Sequence, residues 1–560
     1  MSRCLRAILC ALVSLTLTPS ILAQVPTTQG LPRPGLPARN AEAMLGRIKG
    51  RVVAQDTGAA LRRAQVRVVP QDPRNSKIAT TDANGNYEVK DLPAGRYTLS
   101  VSKARYVSMS YGQRRPFERG KPIELREGEV IDKVDFALPP GAVVSGQIMD
   151  EFGEAVSDAS VQAMRYSYVG GQRRLLPAGR SGPTNDLGQF RIFGLPPGDY
   201  FISATLRSMV VQGEGDTGMG YAPTYYPGVS DVGGAQRVAI ASGQELAGLT
   251  FALQPTRTAR LSGTVADSAG RPLANAMIMV VQTTESMMTS SMGAQVKPDG
   301  TFSISNLAPG QYTLSVRPVG QSTGEEEVAN VPLTVAGDDI TNLRIVTSRG
   351  ATLSGNVVFA PGTAGALVPS TVQVSGTSAE PGMVFGGTGM NRVGDDWTFT
   401  LKGLAGRRLI RVAGLPPRWW LQAVRLNGTD VTDHPIEFRA NQTVTGVEIV
   451  LSDRPTRITG TVTDERGRAA IDYTTIVFAN DKSRWGYATR YVTIARPDQN
   501  GAFLVEKLPP GEYRAIAVEA IEEGEWMDPE LLERLQPAAS RFSLGDGQNK
   551  ALMLKVTAIR

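Results

Sequence analysis

One stretch of sequence is written four times in this chain, and a repeat constrains architecture before any other feature does. A Gly-containing turn, an alternating strand, a Leu-Pro corner and a second alternating strand run from Asp82 to Val101. The same order recurs from Asp186 to Ile202, from Asp299 to Val316 and from Asp498 to Ala515, with a degraded copy from Trp397 to Gly406. Each copy is preceded by a short strand centred on a glycine: Gly50, Gly146, Gly263, Gly355 or Gly460. These openers recur about every hundred residues, the size of one small domain.

Within a unit the apolar residues alternate with period two, as in Tyr97, Leu99 and Val101, which places one strand face inward. Asp-x-x-Gly turns supply the positive φ a tight turn demands, and Leu-Pro-Pro-Gly stops a strand because proline lacks a ladder donor. About seven short strands per unit predict an all-β chain of antiparallel Greek-key sandwiches. The boundaries expected are a signal peptide at 1–23, a Pro/Gly-rich linker at 24–45, and sandwiches at 46–139, 140–254, 255–349, 350–452 and 453–560. One stretch breaks the β pattern. Asp528, Pro529 and Glu530 precede Leu531 and Leu532, which predicts a short helix near the C-terminus capping one end of the last sandwich. Prolines in the short connections, such as Pro139 and Pro140, predict a semi-rigid elongated rod.

Arg3 and Arg6 followed by the apolar run Ala7–Leu17 read as an export leader, too short to span a bilayer comfortably. The protein is therefore expected to be exported, periplasmic or extracellular, with no transmembrane span after cleavage. Both cysteines, Cys4 and Cys10, fall in the leader, so no disulfide or thiolate metal site is expected beyond it. The net charge is +6 over 560 residues. The arginine pairs Arg62-Arg63, Arg114-Arg115, Arg173-Arg174 and Arg407-Arg408 are scattered, which speaks against a nucleic-acid binder.

The opening glycines, the Asp82/Gly85/Tyr87 and Asp498/Gly501/Phe503 turns, and the corners Leu195–Tyr200 and Leu508–Tyr513 together resemble the carboxypeptidase regulatory-like domain. The resemblance implies an Ig-like or prealbumin-like sandwich of the carbohydrate-binding-like fold, and is clear for every unit but the fourth. There the corner shortens to Leu404-Ala405-Gly406 and its tyrosine is missing, so a divergent sandwich is expected. The resemblance concerns the companion of a peptidase, not the peptidase. A zinc peptidase site needs histidine ligands, and His434 is the single histidine. No catalytic residue, metal ligand or cofactor is expected. The turn from Asp82 to Tyr87 lacks the spaced oxygen ligands of a calcium loop and reads as an Asx turn.

The repeated aromatics (Tyr87, Phe190, Phe302, Phe503) and the corner tyrosines (Tyr97, Tyr200, Tyr312, Tyr513) read as core. The unrepeated Tyr221, Tyr225, Tyr226, Trp419, Trp420, Trp485 and Tyr487 are the candidate ligand-binding platform, since flat rings at an exposed edge suit sugar C–H faces. Neighbouring Trp419 and Trp420 must point to opposite sheet faces. The function expected is a monomeric, non-catalytic binding protein of the cell envelope with a polysaccharide ligand. The alternative is a structural spacer for an envelope transporter or protease acting in trans.

Overall fold

The computed structural model describes residues 44–70, 75–206, 219–282, 291–319, 327–379 and 391–558. The expected leader, both cysteines and most of the expected linker lie outside the described residues. Five main hydrophobic centres follow one another along the chain, lying within residues 48–138, 142–253, 259–345, 351–451 and 458–554. Each fills the space between packed strands. In the first sandwich one sheet joins Asn86–Leu92 to Gly46–Ala54, and the other orders Lys77–Thr80, Gln65–Pro70, Gly95–Ser102 and Met109–Ser110. Tyr97, Leu99 and Val101 are buried while the residues between them are not, as period two requires. The chain is thus all-β in tandem sandwiches.

The opening strand of each sandwich sits between two neighbours of opposite sense. On one side it runs antiparallel to the strand after the turn, so Gly50 faces Tyr87, Gly146 faces Phe190 and Gly263 faces Phe302. On the other side the closing strand runs parallel to it, an arrangement the antiparallel expectation does not contain. Gly146 registers with Leu249, Gly263 with Leu343, Gly355 with Val447 and Gly460 with Leu552. At this crossing the backbones come very close. A Cβ on Gly263 would lie 1.9 Å from the Leu343 carbonyl oxygen, and one on Gly146 would lie 1.8 Å from that of Leu249. In the first sandwich the Tyr87 hydroxyl donates to the Val134 carbonyl at 2.6 Å, the same oxygen that Gly50 makes room for.

The corner that follows is held by one repeated hydrogen bond. The hydroxyls of Tyr97, Tyr200, Tyr312 and Tyr513 donate to the carbonyls of Pro93, Pro196, Ala308 and Pro509, each at 2.7 Å. The fourth sandwich solves the same problem differently. Its shortened corner brings Arg408 to the tyrosine's place, two residues after Gly406. Arg408 is 2% exposed, and its Nε donates to the Ala405 carbonyl at 2.8 Å. The turn before the corner diverges there too, since Trp397 takes the left-handed backbone (φ 64) that Gly85 takes in the first sandwich (φ 78). In the second sandwich the Asx cap is Asn185 rather than Asp186. Its Oδ1 accepts from the amides of Leu187 and Gln189, as Asp82 does from Asn84 and Asn86.

The fifth sandwich departs most from the repeat. Its last strand, Asn549–Thr557, pairs in parallel with both Arg457–Thr463 and Gly511–Val518, which fuses its two layers into one seven-stranded sheet. The expected helix forms as α1 (Pro529–Leu535), with Asp528 accepting from the Glu530 amide at 3.0 Å. It covers a sheet face rather than an end. Leu531, Leu532 and Leu535 pack with Ile476, Phe478 and Ile516, side chains that point away from the sandwich core.

Two outcomes follow. Gly263→Ala will destabilise the third sandwich by roughly 1–3 kcal/mol through overpacking against the closing strand, whereas Gly182→Ala, which meets nothing within 4 Å, will leave melting unchanged. Differential scanning calorimetry checks both. Burial pushes the Tyr200 and Tyr312 hydroxyls from 10.0 up to about 12. The folded state therefore holds these protons longer than the unfolded chain does. Their contribution is complete below pH 10 and is lost as pH rises toward 12, by about 2–3 kcal/mol per corner. Urea melts at increasing pH will show this loss, and Tyr312→Phe will flatten it.

Candidate functional site

The structure scatters the seven candidate platform rings. Tyr225 is buried in a satellite cluster with Met164, Leu175 and Phe201. Trp419 belongs to the fourth core and lies edge-on to Phe359 at 5.5 Å. Trp420 is also buried, at 3% exposure, but outside that core; it opens the strand Trp420–Leu426, which Trp419 precedes. Trp485 is buried under α1, its Nε1 donating to the Ala479 carbonyl at 2.8 Å. These four rings offer no free face to a sugar. Three are half-buried. Tyr221 donates to Glu151 at 2.7 Å, Tyr226 lies edge-on to Phe251 at 5.9 Å, and Tyr487 sits against Gly170 of the second sandwich. His434 is exposed, and among the described residues no three His, Cys, Asp or Glu side chains are grouped as metal ligands.

The charges that are brought together join sandwiches. Asp472 of the fifth, 9% exposed at its side chain, receives Arg496 Nη2 at 2.8 Å from its own sandwich. From the first sandwich it receives Lys121 at 3.1 Å and Arg114. Arg496 also donates to the Gly112 carbonyl at 3.0 Å, and Gln499 exchanges two hydrogen bonds with the Glu124 backbone. Burial pushes the Lys121 amine down, with Asp472 acting against that shift. On the fourth sandwich, Asp433 takes a two-pronged contact from Arg490 of the fifth at 2.8 and 2.7 Å. Burial raises the Asp433 carboxyl, but Arg490 and Arg411 more than reverse this and hold it below the usual carboxylate range. On the second sandwich, Arg165 Nη2 donates to both Glu522 oxygens at 2.9 Å. The fifth sandwich therefore grips the first, second and fourth, contacts between units distant in sequence that the expectation of a simple rod does not contain.

Between the first and second sandwiches lies a cleft of about 550 Å³. Arg63, Lys103, Arg105 and Arg180 line it, and no aspartate or glutamate does. Lys103 Nζ donates to the Arg62 carbonyl at 2.7 Å. The half-buried rings of Tyr106, Phe117 and Phe193 form part of the wall. Three wall residues hold left-handed backbone: Arg63 at φ 57, Arg105 at φ 71 and Phe117 at φ 71. The second and third sandwiches put Asp158 and Asn275 at the position of Arg63, at φ 59 and φ 57. Asp and Asn tolerate that conformation, whereas a bulky ring such as Phe117 is a genuine outlier. Phe117 is clamped from the fifth sandwich, its carbonyl accepting from the Glu523 amide at 2.8 Å. The Arg165 guanidinium lies 3.5 Å from its ring centre.

Residues 47–139 and 260–348 match the carboxypeptidase regulatory-like domain family. Two of the five sandwiches carry the carboxypeptidase regulatory-like domain. The second and fifth share its opening glycine, Asx turn and tyrosine corner, and the fourth keeps the opening glycine. Colossin-A of Dictyostelium discoideum is 26% identical over 156 residues, which take in 26% of this chain and 1% of that protein. A streptococcal ancillary pilin aligns with 54% of this chain and 99% of its own length, at 15% identity and a TM-score of 0.21. The Bacillus anthracis TIE protein aligns with 54% of this chain and 51% of its own, at 17% identity and a TM-score of 0.16. The regulatory-like sandwiches and their neighbours make this a multidomain β-sandwich architecture.

Proposed function

We propose that this chain is an exported, non-catalytic scaffold of the cell envelope that holds the clefts between its sandwiches in fixed geometry. One observation carries the reading: the fifth sandwich is tied to the first by Lys121 and Arg114 on the buried Asp472, to the fourth by Arg490 on Asp433, and to the second by Arg165 on the half-exposed Glu522. A spacer of independent beads has no use for such ties. A cleft between two beads, by contrast, keeps its shape only if a third element holds them. Export is supported by the charged and apolar pattern from Arg3 to Leu17. Among the described residues no helix is long and apolar enough to cross a membrane. Polysaccharide remains the proposed ligand class, but at the clefts and not on the platform of seven rings.

Removing one partner of a buried charge pair leaves the other uncompensated, at a cost of about 3–5 kcal/mol. The triple variant Asp433→Ala, Asp472→Ala and Glu522→Ala removes the acid at all three ties and will therefore release the fifth sandwich while leaving its core residues untouched. Small-angle scattering will show a larger radius of gyration, with an unchanged far-ultraviolet circular dichroism spectrum. An unchanged radius would refute the scaffold reading.

A further inference from the structure

We infer that the cleft between the first and second sandwiches binds a carboxylate-bearing oligosaccharide, a reading that deepens the scaffold proposal by naming a ligand class. The electrostatic argument comes first. Four cationic side chains converge on one concavity that no carboxylate lines. Some surface arginines are neutralised by a nearby acid, as Arg457 is by Glu506, Arg271 by Asp267 and Arg468 by Asp464; what sets the cleft apart is that its cations gather where no acid is among the lining residues. Arg63, Arg105 and Arg180 have no ion pair or side-chain hydrogen bond among the described residues. Four like charges facing one space repel one another unless an anion enters it. Guanidinium forks match carboxylates in two-pronged geometry.

The second argument is the wall. Tyr106, Phe117 and Phe193 place apolar ring surface among the cations, which a bare inorganic anion would not use and the C–H face of a sugar would. The volume of about 550 Å³ lies in the range of small-ligand sites and suits a few sugar rings. A nucleic-acid strand would instead need a longer basic track, and the other arginine pairs are dispersed along the chain.

The third argument is cost. Phe117 and Arg105 hold left-handed backbone conformations that are unfavourable for such side chains and persist only where surrounding structure enforces them. The Glu523 amide and the Arg165–Glu522 pair from neighbouring sandwiches supply that enforcement at Phe117. The scaffold thus fixes one wall of this cleft.

The test is isothermal titration of the full chain with trigalacturonate, a neutral galactose trisaccharide and inorganic phosphate. Trigalacturonate should bind, in a salt-dependent way, and the neutral trisaccharide should not. Losing charged hydrogen bonds in Arg105→Ala with Arg180→Ala should weaken binding roughly ten- to hundredfold. Both side chains are exposed, so the melting temperature should hold. Arg105→Lys with Arg180→Lys should recover part of the affinity. Equal binding of the neutral trisaccharide, or phosphate binding as tightly as trigalacturonate, would overturn the proposal. So would full affinity in the double alanine variant, or no binding of trigalacturonate. None of these results alters the scattering readout that tests the scaffold, so the two readings fail separately.

Discussion

Every sandwich in this chain closes by letting two backbones touch. The closing strand runs parallel to the opening strand, and its carbonyl presses on a glycine with no room for a Cβ. That contact joins the first and last strands of each unit, so the core between them cannot form until the whole unit is present. It also explains why the opening glycine and the aromatic after the turn travel together. The aromatic pairs with the glycine across the antiparallel ladder, and in the first and fifth sandwiches its ring sits within 3.0 Å of the missing Cβ. A side chain deleted on one strand is replaced by ring area from the next. In the first sandwich the ring also hydrogen-bonds the intruding carbonyl.

Given that closure, the corner needs only to be pinned, and the fourth sandwich shows what the pin requires. A tyrosine hydroxyl reaches back four residues in the other sandwiches. With one corner residue fewer, Arg408 reaches back three with a longer polar arm. The requirement is a buried donor for one corner carbonyl, not an aromatic ring. Burial lowers the affinity of the Arg408 guanidinium for its proton, so the tyrosine is the less costly solution wherever the corner has its full length.

The sequence displayed what was repeated and concealed what occurs once. Period two, the opening glycines and the corner tyrosines recur with backbone roles that any copy reveals, and the family match falls on that same pattern. Asp472, Glu522, Asp433 and Arg490 have no counterparts in the other units, because each serves a contact between different sandwiches. Their signal was their singularity within a repeat. It could have been read by asking which charged residues break the pattern. The platform aromatics were singular as well. Trp485 and Tyr225 fill secondary clusters rather than open faces, since a large ring in a cysteine-free sandwich gains more from burial than from exposure. Asn185, and not the neighbouring acid Asp186, caps its turn because the turn selects the residue three before its glycine.

The ties of the fifth sandwich say what kind of assembly this is. Ion pairs taken out of water contribute little net stability, since desolvation offsets most of their attraction, but they penalise every arrangement that leaves a charge unpaired. Asp472, held by Arg496 of its own sandwich, faces Lys121 and Arg114 of the first, so a sandwich displaced by a few ångströms strands the buried Lys121 amine. A purely apolar interface would tolerate such sliding. The ties therefore specify where the sandwiches sit more than how strongly they hold. That matters most at the cleft between the first two sandwiches, whose wall at Phe117 is set by a backbone amide of the fifth.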